Sequence, residues 1–281
     1  MKIIKSVKQM SLISKKLRGS RKTIGFILTM GYLHEGHISL IRKARKENNI
    51  VVVSIYVNPA QFGPKEDFKK YPRNIKMDTT LCEKCGVDII FAPSDKDMYP
   101  QGYVTYINVE KLSEGLCGTK RPGHFKGVTT VVSKLFNIVK PSAAYFGQKD
   151  AQQALIINKM AQDLNMGIKI KIMPTVREPG GLAMSSRNAY LSVDEKKDAL
   201  VLYKALQKAK SMIESREYRA KNIVGEMRRL IKTKKSIRID YIEIVSANDL
   251  KPVDKIKRKV LIALAVFTGK TRLIDNMIVR V

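Results

Sequence analysis

The 281-residue sequence contains no tryptophan, and aromatic residues reach only 7%. Basic patches that grip nucleic acid usually interleave cations with aromatic platforms, so this scarcity argues against such a role. Cysteine is also scarce: Cys82, Cys85 and Cys117 are too few and odd in number for a disulfide framework, and a reducing compartment is expected. The Cys82-x-x-Cys85 pair would suit a redox couple or half a zinc site. It falls in a helix-like run, Lys76 to Gly86, with no second pair at zinc spacing, which favours a structural role. Long apolar runs are missing too. The longest candidate, Val260 to Phe267, is strand-sized, far short of the roughly 18 residues that span a bilayer. The first residues, Met1 to Gly19, mix lysine with scattered apolar side chains and lack both an apolar h-region and a small-residue cleavage site, so a cytoplasmic protein is expected.

Acidic residues are the remaining shortage. Asp plus Glu number 25 against 53 Lys plus Arg, a net charge of +28 that attracts any polyanion. The lysines are spread through nearly every element and form no basic tail, which points to solvated faces and no specific nucleic-acid partner. A basic surface also suits an enzyme of polyphosphate and carboxylate ligands. What is present is otherwise ordinary: 44% hydrophobic and 28% charged residues describe a globular chain and exclude disorder.

Periodicity divides the chain in two. Thr23 to Leu28 reads as a strand, followed by the loop around Thr29-Met30-Gly31 and a helix from about His37 to Asn48. Ile50 to Val57 is a β-branched run of the kind buried on both faces of a parallel sheet. The alternation continues with a helix over Lys76 to Gly86 and a strand at Val87 to Phe91, then Gly127 to Val139 and Ala143 to Phe146, then Asp150 to Leu164 and Ile168 to Met173. This pattern predicts an α/β fold, a doubly wound parallel sheet of Rossmann-like nucleotide-binding type. After about Arg177 two successive helices, Asp194 to Glu214 and Tyr218 to Lys234, precede three strands at Arg238 to Val245, Lys259 to Val266 and Arg272 to Val279. Helices and then strands in blocks predict a smaller α+β domain. The expected division is a domain over 1–176 and a C-terminal domain over 177–281.

The chemistry-bearing residues begin with His34-Glu35-Gly36-His37, placed after the first long strand and at the start of a helix, where a parallel sheet binds phosphates. Two imidazoles three residues apart can face one way. A metal pair is the competing reading, but the spacing differs from that of zinc proteases.

Residues 29–37, Thr-Met-Gly-Tyr-Leu-His-Glu-Gly-His, resemble the HIGH-type signature of the nucleotidyltransferase superfamily. Further motifs follow in order: Val57-Asn58-Pro59-x-Gln61-Phe62, Asp67 with Tyr71-Pro72-Arg73, Arg121-Pro122-Gly123-His124-Phe125-x-Gly127-Val128, Phe146-Gly147-Gln148-Lys149-Asp150-x-Gln152-Gln153, and Arg177-Glu178-Pro179-x-Gly181-Leu182-Ala183-Met184-Ser185-Ser186-Arg187-Asn188. Together they resemble the pantoate–β-alanine ligase family over nearly the whole chain. Two positions depart from that pattern. Leu28 stands where the family usually has proline, and Gly180 where it usually has aspartate, and the Gly180-Gly181 pair predicts a looser loop ahead of Met184.

The resemblance implies ATP-dependent joining of pantoate to β-alanine through a pantoyl adenylate, with release of pyrophosphate and then AMP. It implies that His34 and His37 bind the phosphates, with His37 the proton donor, and that Lys149 is a point charge on the β- and γ-phosphates. Ser185, Ser186 and Arg187 would form a second phosphate loop. Met30, Gly31, Gly36, Gly147, Asp150, Val176 and Met184 would surround the nucleotide. Gln61 and Gln153 would contact pantoate, with Met30, Val132 and Phe62 as apolar walls for its gem-dimethyl group. The C-terminal domain would act as a lid. Mg2+ is expected with ATP, held by phosphate and water, and a homodimer is expected. The rival readings are another adenylyltransferase of the same fold and a basic nucleic-acid-binding protein.

The dispersed charge carries the first prediction. Nucleic acid should bind weakly, without sequence preference, and progressively less as salt is added in a filter-binding titration. Sub-micromolar, sequence-selective binding at physiological salt would contradict it.

Overall fold

A computed structural model describes residues 1–64 and 66–281. The chain forms two compact units. The first comprises Met1–Ser113, Arg121–Gln148 and Gln153–Pro174, and the second Glu114–Lys120, Lys149–Gln152 and Thr175–Val281.

The first unit is built on six parallel strands, β1 (Lys2–Ile4), β2 (Ile24–Thr29), β3 (Ile50–Ile55), β4 (Ile89–Phe91), β5 (Ala143–Gly147) and β6 (Lys169–Met173). Their order across the sheet is β1-β4-β3-β2-β5-β6. Five of its helices are α1 (Val7–Gly19), α2 (Glu35–Glu47), α3 (Ile75–Lys84), α4 (Asp95–Met98) and, past a short helix α5 (Cys117–Lys120) of the second unit, α6 (His124–Val139). Helix α7 (Ala151–Asp163) follows β5.

The two-residue period of each strand distributes its side chains between two cores. Phe26, Val52, Phe91, Ala144 and Phe146 meet Met10 of α1, Val128, Val131, Leu135 and Phe136 of α6, and Ile157 of α7. Ile27, Val51, Val53, Ile90 and Tyr145 meet Ile38, Ile41 and Ala44 of α2 and Cys82 of α3. The sheet is thus doubly wound, as its β-branched runs predict. Cys82 is a core residue whose thiol is pushed up to about 12, by burial first and then by the Asp78 and Cys85 charges beside it. Such a thiol is inert as a nucleophile.

The second unit holds α8 (Val193–Ala199), α9 (Val201–Glu214) and α10 (Ala220–Ile231), then an antiparallel sheet of β7 (Ile237–Ser246), β8 (Val260–Thr268) and β9 (Thr271–Val279) in that order. Ile242, Ile244, Ile262, Leu264 and Leu273 bury one face against Leu202, Leu206, Ile223 and Met227. A single helix was expected over Asp194 to Glu214, but the run divides at Leu200, which ends α8 and opens α9. The N-terminal strand and α1 are additions to the expected pattern. Lys149, Asp150 and Val176, expected with residues 1–176, group with the second unit, where the Asn276 side-chain amide donates to the Lys149 carbonyl at 2.9 Å. Among the described residues, no helix is long and apolar enough to cross a membrane.

A polar clasp fastens α2 to the sheet. The Glu47 carboxylate accepts from Lys171 Nζ and from the Tyr145 hydroxyl, both at 2.7 Å, and pairs with Lys43 at 2.9 Å. Lys171 first, then Tyr145 and Lys43, lower the Glu47 carboxyl from 4.5 to about 2. A depressed carboxylate stabilises the fold above its unfolded value and loses that contribution as pH falls through its folded value. Wild type should therefore exceed Glu47→Gln in urea midpoint near neutrality, and the gap should close between pH 4.5 and about 2. A gap that is independent of pH would contradict the clasp.

Candidate active site

In the first unit the strand order reverses between β2 and β5. The chain leaves β2 for α2 on one face and leaves β5 for α7 on the other, which opens a crevice at the carboxyl ends of these strands. The segment after β2 enters this crevice under tight control. The Thr29 hydroxyl donates to the Ser54 carbonyl at 2.8 Å and accepts the Gly31 N–H at 3.1 Å. Gly31 and Tyr32 are both left-handed, with φ of 83° and 53°. Two successive left-handed residues turn two main-chain N–H groups inward, and Asp78 of α3 receives them. Its carboxylate accepts from Tyr32 at 2.8 Å and from Leu33 at 2.7 Å while only 1% exposed. Burial pushes the Asp78 carboxyl up, against the lowering effect of these two bonds.

The turn delivers His34 to the N-cap of α2. His34 Nδ1 accepts the Gly36 N–H at 3.1 Å, and His37 Nδ1 accepts the His34 N–H at 3.3 Å. The rings lie 4.1 Å apart between centroids. A neutral imidazole that accepts at Nδ1 carries its proton on Nε2. Both histidines are thereby set as Nε2–H donors at a helix N-terminus, whose dipole favours an anion.

Gln61 closes a short 3-10 turn, Pro59–Gln61, after β3. Its Nε2 lies 3.1 Å from Met30 Sδ, so the two residues expected at pantoate do meet. Asn58 fixes the other end of the amide, donating to Gln61 Oε1 at 3.2 Å and to the Gly127 carbonyl at 3.1 Å, while its own oxygen accepts from Tyr99 at 2.8 Å. The Gln61 carbonyl accepts from His124 Nδ1 at 2.8 Å. Arg121 donates to His124 Nε2 at 2.9 Å, which fixes that tautomer, and grips Glu66 through two bonds of 2.6 Å. Burial raises the Glu66 carboxyl, but the Arg121 guanidinium outweighs burial and holds it below the ordinary range. Gly127 is required at its position on α6, since a Cβ there would lie 2.1 Å from the Ala60 carbonyl oxygen. Gly147 ends β5, and Gln153 is half-buried on α7. Val132 is a core residue packed on the sheet, and Phe62 packs on Phe68 and Tyr71.

The second unit holds the other expected residues. Lys149, in the 3-10 turn Gln148–Asp150, has its ammonium 3.6 Å from Asp150. Val176 to Arg187 is a tight hairpin: Met184 N–H donates to the Val176 carbonyl at 3.0 Å, Glu178 N–H to Leu182 at 2.8 Å and Gly181 N–H to Glu178 at 2.9 Å. Ser185 caps the following turn, accepting the Arg187 N–H at 3.3 Å, and Ser186 is buried. Buried Asn188 ties the hairpin together from inside, donating to Glu178 at 2.6 Å and to the Ala183 carbonyl at 3.1 Å. The Gly180-Gly181 pair, expected to loosen this loop, lies against Leu200 and Tyr203. Their φ angles of 93° and 104° form its tip, and a side chain on Gly181 would strike Tyr203 at 2.3 Å. Arg177 pins the tip by donating to the Gly181 carbonyl at 2.9 Å and stacking 3.9 Å above the Tyr203 ring.

The family model for pantoate-beta-alanine ligase matches residues 2–278. The chain belongs to the pantoate–β-alanine ligase family. A pantothenate synthetase of Thermosipho africanus is 54% identical over 279 residues, covering 99% of this chain and 100% of the relative. One from Fervidobacterium nodosum is 55% identical over 279 residues, covering 99% of each. Among solved structures, pantothenate synthetase from Thermus thermophilus superposes with a TM-score of 0.94 at 40% identity and 99% coverage of both chains. A pantoate-beta-alanine ligase from Francisella tularensis, complexed with beta-gamma ATP and beta-alanine, gives a TM-score of 0.82 at 36% identity, covering 99% of this chain and 97% of that one.

Sequence reasoning missed Asp78, an acidic residue between Met77 and Thr79 with no local mark of burial. Asn58, Arg121 and His124 sat inside quoted motifs without an assigned role. Asp78→Ala should cost about 2 to 4 kcal/mol in urea unfolding, because two buried N–H groups lose their acceptor. It should also weaken ATP binding in calorimetry, by freeing the turn that delivers His34. Wild-type stability in that variant would show that the turn holds its shape without the carboxylate.

Proposed function

We propose that the chain forms pantothenate in two half-reactions that share a pantoyl-adenylate intermediate. The overall reaction is the ATP-dependent ligation of pantoate and β-alanine. In the first half-reaction a pantoate carboxylate oxygen attacks the α-phosphorus of ATP and pyrophosphate departs. In the second, the β-alanine amine attacks the acyl carbon and the C–O bond to AMP breaks. The observation that carries this reading is the pair of Nδ1-accepting histidines at the N-terminus of α2, a preset donor pair at the carboxyl end of β2.

Nucleophile and ATP are both anions, so catalysis here is positioning and charge stabilisation. His34 and His37 direct Nε2–H groups at the phosphates, with His37 donating as charge grows on the departing pyrophosphate. Met30, Gly31 and Gly36 line the nucleotide beside them through the turn and helix start. Lys149 adds a full positive charge for the β- and γ-phosphates. Ser185, Ser186 and Arg187 supply further donors, and Gly147, Asp150, Val176 and Met184 flank the nucleotide. Gln61 and Gln153 recognise pantoate with neutral amides, which hold hydroxyl and carboxylate groups without drawing charge from the attacking oxygen. The methionine sulfur and methyl of Met30, already against Gln61, suit the gem-dimethyl group. The C-terminal unit takes the part of a lid.

Among the described residues, no group of three or more His, Cys, Asp or Glu side chains is arranged to hold a metal ion. Mg2+ is expected with ATP, held chiefly by the phosphates and water, and no protein ligand is named for it. A homodimer, which the resemblance implies, and a cytoplasmic location, expected from the character of residues Met1 to Gly19, complete the reading.

With pantoate present and β-alanine absent, the enzyme should exchange labelled pyrophosphate into ATP. His37→Ala and Lys149→Ala should each slow that exchange by raising its barrier about 3 to 4 kcal/mol, the worth of one preorganised donor. Amide formation from supplied pantoyl adenylate should fall much less. Exchange that requires β-alanine, or variants that lose only the amine step, would overturn the scheme.

A further inference from the structure

Strand β9 carries adjacent buried polar residues that the scheme above does not use. Leu273, Met277 and Val279 face the helix-packed core of the second unit, and the two-residue period places Asp275 on that face. Asn276 therefore leaves the opposite face, together with Arg272. That face carries the segments Glu114–Lys120 and Lys149–Gln152. Arg272 reaches to 3.5 Å from Cys117 Sγ, and Gln152 accepts the Cys117 N–H at 3.1 Å and donates to the Gly115 carbonyl at 2.8 Å.

Each of the two residues holds one phosphate-directed segment. Asp275 is 2% exposed, and its carboxylate accepts both arms of Arg177, at 2.6 and 2.9 Å, together with the Asn276 N–H at 2.8 Å. A two-pronged guanidinium–carboxylate bond fixes direction as well as distance. Arg177 is the residue that pins the hairpin tip through Gly181 and Tyr203, so Asp275 sets the hairpin that presents Met184 to Arg187. Asn276 is 5% exposed and donates to the Lys149 carbonyl at 2.9 Å. That carbonyl lies in a 3-10 turn, which winds more tightly than the α-helix that follows it. The Asn276 amide thus ties the backbone from which the Lys149 side chain springs.

We propose that Asn276 is a positioning residue for the pyrophosphate-forming step, acting through the backbone of Lys149. The inference rests on the phosphate role given to Lys149 above, and the test separates the two. Full-length Asn276→Ala and the isosteric Asn276→Asp are measured in ATP–pyrophosphate exchange, beside Lys149→Ala and the double variant Asn276→Ala/Lys149→Ala. Amide formation from supplied pantoyl adenylate and β-alanine is the second readout. Both Asn276 variants should lower kcat/KM for ATP in exchange by about tenfold, within the roughly hundredfold that a misplacement of about 1 Å can cost. They should leave amide formation within about twofold of wild type. Asn276→Ala should add nothing once Lys149 is alanine, because the two act through one group. Wild-type exchange in both variants, equal loss of both half-reactions, or additive losses in the double variant would each overturn the positioning role. Intact exchange in Lys149→Ala would instead overturn the role of Lys149 itself.

Discussion

The reversal of strand order between β2 and β5 is the constraint on which the first unit's chemistry depends. Because β2 continues into α2 on one face and β5 into α7 on the other, the two carboxyl ends are left without a crossing connection. A crevice at that point is a consequence of topology. The helix that follows β2 also points its N-terminus there, so the same feature that opens the crevice supplies partial positive charge. Asp78 makes the geometry specific. By accepting the consecutive N–H groups of Tyr32 and Leu33, which follow the left-handed turn at Gly31 and Tyr32, it fixes the angle at which the chain leaves β2 and meets the N-cap at His34.

Joining two anions calls for donors set in place before the reactants meet. In the proposed scheme His34 and His37 serve as such donors, since each Nδ1 is engaged by a main-chain N–H, which leaves the ring proton to the far nitrogen. Gln61 follows the same logic with a neutral amide. Its placement is overdetermined by Asn58, His124 and the close approach of Gly127, and the charge of Arg121 is spent on Glu66. The second unit relies on a buried ion pair and a stacked guanidinium to shape a loop rather than to face solvent.

What was legible in the sequence follows from range. Ile50 to Ile55 is readable because a strand buried on both faces must be apolar throughout, and the imidazole pair is readable because its partners lie within three residues. The N-terminal strand was obscured by its length of three residues, and α1 by the lysines among its apolar positions. The break at Leu200 leaves the apolar periodicity of both helices intact, so no pattern marks it. Gly180-Gly181 was read as slack because glycine permits many conformations, but Tyr203 and Arg177 select one of them. Asp78 and Asp275 were invisible for a common reason: each is a carboxylate whose partners stand dozens of residues away, and burial of a charge leaves no trace in its immediate neighbours.

The central claim is that the pantoate carboxylate itself attacks the α-phosphorus, and oxygen tracing addresses it directly. Pantoate labelled with heavy oxygen in its carboxylate is turned over with ATP and β-alanine, and the products are separated for mass measurement. An adenylate intermediate requires one carboxylate oxygen to leave with the phosphoryl group, so the AMP should carry one labelled oxygen and the pyrophosphate none. Unlabelled AMP, or label in the pyrophosphate, would contradict attack at the α-phosphorus.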